Sequence, residues 1–285
     1  MATLNKERIQ AFRAETYGTL PDHRLRSINQ AVDFVNARGF IAFWPIKGVI
    51  LPSLWAAVAG DRPVPDEHDD PGHVTWGWKD SMLGKKQWYY GRVIRKRNTF
   101  ISLDVAPYFY ALTANYGSPE EDYLEQYQQG LLTLEARQVY EALLKEGPLD
   151  TIKLRKVARL TSPESNTRFN RALDELMVDF KILPVGVCDA GAWHYAYVHD
   201  IVPRHFPELI ERSRFIQERE ARTKIIELYL NSVGAVQSKD ILKVFGWDLD
   251  QTQQAIQKLV DKGLAFDHLE SQDEAGEWIA VPGML

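Results

Sequence analysis

The clearest hydrophobic pattern in the chain lies between Thr133 and Tyr197, and it begins as a helix. Apolar residues recur there at the i, i+3, i+4 spacing of one helical face, namely Ala136, Val139, Tyr140, Leu143 and Leu144. The pair Gly147-Pro148 ends this helix, and Asp150 is placed to cap a short second helix. The pattern therefore predicts two consecutive helices with a tight connection.

A third helix and two strands complete this segment. Ser162-Pro163 opens the helix, because proline is favoured at the first helical position. Its inward face consists of Phe169, Leu173, Leu176 and Met177. Two β-rich runs, residues 181–187 and 193–198, flank a turn at 189–191, which is typical of a hairpin. Helix, short helix, helix and hairpin is the plan of a winged helix, whose third helix can enter a DNA major groove.

The same order recurs nearer the C-terminus. The pattern predicts an amphipathic helix over 220–232, a short helix over 238–244, a longer one over 249–262, and strands over 263–269 and 277–281. The run from Gln254 to Leu259 repeats the spacing of the run from Arg171 to Leu176. We therefore predict tandem winged-helix motifs in a mainly α fold with short β-hairpins, which is an α+β class.

The first 130 residues follow a less regular pattern. It predicts helices over 5–16, 24–38 and 53–59, an apolar run over 40–44, a surface loop over 60–72, a short helix or turn over 76–83 and a basic hairpin over 85–103. With the two repeats, this makes three predicted units, which span residues 1–130, 131–205 and 206–285.

Overall composition limits the possible functions. The net charge of −5 and the pI near 5.8 argue against a generally basic nucleic-acid binder. The single cysteine, Cys188, excludes an intrachain disulfide and a cysteine-cluster zinc site. No stretch has the apolar length of a membrane span, and the N-terminus has no signal-peptide core. We therefore expect a cytoplasmic protein without a membrane partner.

Basic residues are nevertheless concentrated locally, first in the predicted hairpin. There the DNA-binding candidates are Lys85, Lys86, Arg92, Arg95, Lys96 and Arg97. They are interleaved with aromatic residues, a combination that can pair with phosphates and stack on bases. A hairpin with one core face and one charged face that protects a sheet edge would show the same pattern. The two interpretations stay open at this point.

The second concentration lies in the middle unit. Its DNA-binding candidates are Lys153, Arg155, Lys156, Asn166, Arg168 and Arg171. Polar side chains at the start of the third helix can reach base edges or phosphates. The C-terminal unit carries glutamines there and an acidic wing, so the middle unit is the better candidate. Winged helices also serve as protein–protein modules, and this alternative stays open.

A cluster of possible metal ligands lies at residues 66–73. This segment holds His68, His73 and several carboxylates, which are groups that suit zinc, iron or nickel. No helical or strand spacing holds them together, so a solvated acidic loop is the preferred interpretation. We expect no metal and no other cofactor.

The tandem units resemble the AlkZ/YcaQ-like family of DNA glycosylases, which are built from three tandem winged-helix motifs. The resemblance rests on GPLDTIKLRKVARL and RALDELMVDFKILPVG in the middle unit and on VGAVQSKDILKVFGWDLDQTQQAIQKLVDKGLAF in the C-terminal unit. It implies double-stranded DNA, damaged or intact, as the partner. With no heptad run or dimerisation helix in the sequence, we expect a monomer that embraces the duplex with its three units.

The chain departs from that family at the catalytic motif. Family members carry Gln-x-Gln or Gln-x-Asp after the first long helix, and this motif positions the water and the cationic sugar during base excision. The equivalent stretch here is Gly39–Pro45, whose two motif positions hold Ala42 and Trp44. Neither side chain can activate water or stabilise a cation with a carboxylate, so the resemblance transfers no catalytic residue. Trp44 can instead stack on an extruded base.

Three functions are compatible with these patterns. The first is a DNA-binding protein of this family whose glycosylase chemistry is lost or altered. The second is an active, metal-independent glycosylase for alkylated bases, with a carboxylate replacing the motif; the candidates are Asp66, Glu67, Asp69 and Asp104, and the sequence places none of them near Trp44. The third is a small-ligand or metal-binding protein with an aromatic pocket formed by Trp44, Trp55, Trp76, Trp78 and Trp88.

Overall fold

The computed structural model of the protein describes residues 4–67, 69–191 and 193–285. In this part of the chain the α-helices are α1 Lys6–Thr16, α2 Ile28–Arg38, α3 Leu54–Ala59, α4 Asp70–Met82, α5 Ala106–Tyr110, α6 Asp122–Gln128, α7 Leu134–Glu146, α8 Thr151–Val157, α9 Asn166–Val178, α10 Val202–His205, α11 Pro207–Ser213, α12 Glu218–Val233, α13 Ser238–Phe245 and α14 Leu249–Asp261. The strands are β1 Phe40–Ala42, β2 Tyr89–Ile94, β3 Arg97–Ile101, β4 Leu149–Asp150, β5 Ile182–Cys188, β6 Ala196–Ile201, β7 Ala235–Gln237, β8 Phe266–Leu269 and β9 Trp278–Ala280. Short 3-10 helices cover Pro21–His23, Pro163–Ser165 and Pro282–Met284.

Three small sheets share one topology. Their strand orders are β1-β3-β2, β4-β6-β5 and β7-β9-β8, and every pairing is antiparallel. Each sheet takes its first strand from between a long and a short helix, and its last two strands form a hairpin after a third helix. The predicted α+β fold with tandem winged-helix-like motifs is confirmed. One sheet falls within each predicted unit, and the limits 1–130, 131–205 and 206–285 stay a prediction.

The first unit is more regular than its sequence pattern indicates. The segment expected to be a loop over 60–72 and a short helix or turn over 76–83 contains one longer helix, α4, which begins within the expected loop. Asp69 caps this helix by accepting a hydrogen bond from the Gly72 N–H at 2.9 Å, and Pro71 lies in its first turn. Aspartate followed by proline starts a helix as readily as it forms a turn, and here the helix is stabilised by packing.

The first and C-terminal units share one hydrophobic core. Helix α12 buries a continuous apolar stripe there, comprising Ile225, Ile226, Tyr229, Leu230 and Val233. Phe245 packs edge-on against Phe40 of β1, with ring centroids 5.9 Å apart, and against Tyr229 at 5.6 Å. Fully burying one such side chain stabilises a fold by about 1.5–3 kcal/mol. The first sheet is therefore held in place by the C-terminal unit.

The middle unit has a separate core but contacts the first unit through β2. Tyr89 stacks on Phe180 with ring centroids 4.3 Å apart, and Arg92 forms an ion pair with Asp174 of α9. These contacts cover part of α9, while its first turns stay exposed at Asn166 and Arg168. The predicted reader helix is thus accessible at its N-terminal end.

Within the described ranges, no helix is long and apolar enough to cross a membrane.

Candidate functional site

The position expected for the catalytic motif lies at the end of β1. Ala42 is buried in the sheet, where it is paired with Thr99 of β3, and its N–H donates to the Pro52 carbonyl at 2.9 Å. Two residues further on, Trp44 leaves the sheet and is 38% exposed. The Trp44 ring stacks on Phe43 with centroids 5.8 Å apart and an interplanar angle of 28°. Ala42 is thus a core residue, whereas Trp44 is available to a ligand.

Trp76 of α4 completes an aromatic wall with Trp44. Its ring packs against Phe43 at a centroid distance of 5.9 Å, so Phe43 lies behind both indoles. Two cavities, of about 300 and 440 Å³, both have Trp44 and Trp76 in their lining. We refer to them as the acidic cavity and the basic cavity, after the residues described next.

The acidic cavity lies between this wall and the segment that precedes α4. Besides the two tryptophans it is lined by Val64, Pro65, Asp66, Glu67, Asp69, Gly72 and His73. The fold therefore brings three of the four candidate carboxylates to Trp44. Asp104 lines neither cavity and pairs with Arg212 at 3.0 Å.

The three carboxylates of the acidic cavity are not equivalent. Asp69 caps α4 and forms an ion pair with Arg62 at 2.5 Å. Desolvation opposes its ionisation, but the hydrogen bonds from Gly72 and Arg62 outweigh it and lower the pKa of Asp69. Asp66 and Glu67 are exposed and form no hydrogen bond or ion pair with another described residue. They are the two carboxylates free to act on a ligand.

The basic cavity shares Trp44 and Trp76 with the acidic cavity. It is lined by Phe43, Trp44, Pro45, Ile46, Lys47, Trp76, Arg97 and Asn98. Arg97 begins β3, directly after the tight turn at Arg95 and Lys96, both of which have positive φ. Lys47 was not a sequence candidate, because an isolated lysine in a turn carries no signal of its own.

Trp76 rests on a buried lysine that the sequence did not single out. The Lys79 ammonium lies 4.3 Å from the Trp76 ring centroid, and its side chain is fully buried. It bonds the Asp80 carboxylate at 2.5 Å and donates to the Tyr197 and Tyr195 hydroxyls at 2.5 and 3.1 Å. Burial, then the neighbouring Tyr197 and Asp80, raises the pKa of Tyr195 well above its ordinary value. The middle unit thus holds the lysine that supports the aromatic wall.

The comparison with known families identifies the chain. The model of the family described as AlkZ related matches residues 25–246, which include both cavities. The chain belongs to the AlkZ-related family. The resemblance seen in the sequence is therefore confirmed. No curated protein sequence matches the chain.

A solved structure gives the same result for the fold. The DNA glycosylase AlkZ of Streptomyces sahachiroi is similar with a TM-score of 0.62 and 12% sequence identity, over 99% of this chain and 71% of that chain. At a sequence identity as low as this, the structural similarity is evidence for the fold of the AlkZ-related chain alone.

Most basic residues in and before the β2–β3 hairpin of this AlkZ-related protein are exposed. Lys85, Lys86, Arg95, Lys96 and Arg97 are exposed, whereas Arg92 is half-buried in its ion pair with Asp174. Arg97 is the one member of this group that lines either cavity.

The candidates of the middle unit differ in availability. Lys156, Asn166 and Arg171 are exposed. Lys153 pairs with Asp150 at 3.3 Å, and Arg168 pairs with Glu135 at 2.8 Å. The Arg155 guanidinium donates to the Leu160 carbonyl at 2.9 Å and to Ser165 Oγ at 3.2 Å, so it stabilises the loop before α9. A DNA contact by these residues stays a prediction, and Arg155 is the poorest member on which to test it.

The structure of the AlkZ-related chain bears on two site hypotheses. The prediction of a pocket formed by five tryptophans is wrong. Trp55 and Trp88 are buried and Trp78 packs against the core, which leaves Trp44 and Trp76 available to a ligand. In the described residues no group of three or more His, Cys, Asp or Glu is arranged to hold a metal ion. His68, one of the two histidines considered for a metal site, lies outside the described residues.

Proposed function

We propose that this AlkZ-related protein binds double-stranded DNA and receives a base, turned out of the duplex, in the acidic cavity against Trp44 and Trp76. The observation that carries the proposal is the pair of half-exposed indoles lining a cavity beside a basic hairpin. The acidic cavity has a volume of about 300 Å³, which is at the lower end of the range for small-molecule sites, on the order of 300–1,000 Å³. An aromatic wall suits a base because every base has a π face.

Binding to matched duplexes tests this proposal. One duplex carries a single unpaired base opposite an abasic analogue, which lowers the cost of extrusion; the other has abasic analogues on both strands. The change Trp44→Ala should weaken binding of the first duplex by about 5- to 150-fold, since base stacking contributes about 1–3 kcal/mol. It should leave binding of the second duplex unchanged.

Fluorescence anisotropy at fixed salt measures both affinities. Phe215→Ala is the matched control, because Phe215 is an exposed aromatic residue that lines neither cavity. Equal losses on the two duplexes, or no loss on either, would contradict the proposed base site.

A second candidate function is excision of the bound base, and the position of Asp66 and Glu67 favours it. A carboxylate beside the sugar can stabilise the oxocarbenium-like transition state or take a proton from the attacking water. The bond from C1′ to the base breaks, the base leaves with a proton, and water supplies the hydroxyl at C1′. The loop before α4 would then replace the missing motif at Ala42 and Trp44.

Alkylated duplex DNA provides the assay for excision, with released free base measured by chromatography. We expect release by the unaltered protein, and a reduction of about 100-fold or more in Asp66→Asn or Glu67→Gln if that side chain is the general base. Asp104→Asn is the control, because Asp104 pairs with Arg212 and lines neither cavity. Duplex binding without any release above buffer would reject excision and leave the binding function intact.

A further inference from the structure

The two cavities that share the Trp44–Trp76 wall carry opposite charge. The acidic cavity is lined by carboxylates, with Asp66 and Glu67 unpaired among the described residues. The basic cavity is lined by Lys47 and Arg97 and contains no carboxylate in its lining. An anion is therefore favoured in the basic cavity and repelled from the acidic cavity.

The cations of the basic cavity are available to a ligand. Lys47 and Arg97 are exposed, and neither forms an ion pair with a described residue. A third cation, Lys243 of α13, lies at the same turn, because a Cβ built on Gly48 would be 2.8 Å from its ammonium nitrogen. Lys243 is also exposed and forms no ion pair within the described ranges. The two uncompensated cations that line the basic cavity, with Lys243 beside the neighbouring Gly48, are stabilised by a bound anion.

The backbone holds these groups in a fixed relation to the wall. The Phe43 N–H donates to the Asn98 carbonyl at 2.8 Å, which ties the segment leading to Trp44 to the start of β3. Arg97 is paired with Ile94 across the hairpin, and the turn that holds Lys47 is closed by the Val49 N–H bonding the Ile46 carbonyl at 3.0 Å. Sites on paired strands and closed turns hold a ligand more rigidly than sites on open loops.

We propose that Lys47 and Arg97, with the Asn98 amide beside them, form a phosphate-binding subsite for the backbone next to the base held in the acidic cavity. The inference rests on the proposed function, since it concerns the same extruded nucleotide. A nucleotide joins a planar base to an anionic phosphate through its sugar, which matches a stacking wall with cations beside it. Asp66 and Glu67 repel phosphate from the acidic cavity, so the base enters that cavity and the backbone stays in the basic one.

Single neutral phosphates test the subsite directly. The duplex with an unpaired base is prepared with one methylphosphonate, placed in turn at each phosphate near that base. We expect the unaltered protein to lose up to about fivefold in affinity at one or two positions beside the base, as for an exposed charge pair. In Lys47→Gln or Arg97→Gln the same methylphosphonate should have no further effect, because its partner is already missing.

Arg95→Gln is the matched control, since Arg95 is an exposed arginine of the same hairpin that does not line the basic cavity. It should keep the full methylphosphonate effect. If Arg97→Gln and the methylphosphonate lowered the affinity independently at every position, the subsite would be overturned. In that case, weaker binding of the unpaired-base duplex by Trp44→Ala would show that the base site still stands. Loss of base-dependent binding in the unaltered protein would overturn the proposed function and the subsite together.

Discussion

His199 is a buried polar residue whose protonation state affects the stability of the fold. Its imidazole is 1% exposed on β6, and neither ring nitrogen has a hydrogen-bond partner among the described residues. Burial, and then the charge of Arg92, lowers its pKa from 6.5 to about 4. The ring therefore stays neutral in the folded protein at pH values where it is protonated in the unfolded chain.

This shift predicts a loss of stability in acid. Between pH 6.5 and about 4 the unfolded chain binds a proton at His199 that the folded protein does not, so unfolding becomes easier as the pH falls. The neutral His199 imidazole makes its full contribution to the free energy of unfolding above pH 6.5. This contribution decreases by about 3 kcal/mol by pH 4.

Urea unfolding at pH 7 and pH 4.5 measures the effect in the unaltered protein and in His199→Phe. The variant should lose less stability over this interval, because other acid-sensitive groups are common to both proteins. An identical pH dependence in the two would mean that His199 does not titrate as the fold implies.

At the scale of elements, α4 and β6 are joined by Lys79. Its ammonium is fully buried and bonds Asp80 on its own helix and the hydroxyls of Tyr195 and Tyr197 from the middle hairpin. The Trp76 ring lies over the same ammonium at 4.3 Å. The position of the aromatic wall thus depends on a contact between two units.

Removing this ammonium should destabilise the protein. We expect Lys79→Met to cost about 3 kcal/mol, because it removes the cation that pairs with the Asp80 carboxylate and the donor to the Tyr197 hydroxyl, while Tyr195 still donates to Asp80 at 2.9 Å. Thermal unfolding measures the loss, and Lys85→Met is the control because Lys85 is exposed. A Tm equal to that of the control would contradict a structural role for the buried pair.

The elements themselves were largely predictable, and the sites were not. Periodicity over Ala136–Leu144 and the turn after Cys188 depend on neighbours along the chain, so they predicted α7 and the β5–β6 hairpin. Lys79 gave no such signal, because Tyr195 and Tyr197 lie 116 and 118 positions away. Residues that are distant in the sequence meet only once the units have packed.

The acidic cavity was missed for a related reason. Asp66 and Glu67 lie just before α4, whose first turn was predicted to be part of a loop, so their distance from Trp44 could not be foreseen. The replacement of the family motif at Ala42 and Trp44 stays a prediction from the sequence, and no sequence pattern indicated the residues that surround Trp44.

The whole molecule contains three small sheets of one topology, each within one of the three predicted units, and these units pack against one another. The first and C-terminal units share a core through Phe40, Phe245 and Tyr229, and the first and middle units meet at Tyr89 and Phe180. Trp44, Trp76 and the two cavities lie in the first unit, which is therefore supported from both sides. Exposed cations of the hairpin and of α9 lie outside these contacts, and in the proposed function they would pair with the phosphates of a duplex.

Photo-crosslinking measures the central claim most directly. A duplex with a single unpaired 5-iodouracil, irradiated in complex with the protein, attaches that base to an aromatic side chain within contact distance. Mass spectrometry of the peptides should locate the adduct on Trp44 or Trp76. Adducts confined to other exposed aromatics, such as Trp193 beside the β5–β6 turn, would contradict base binding at the wall.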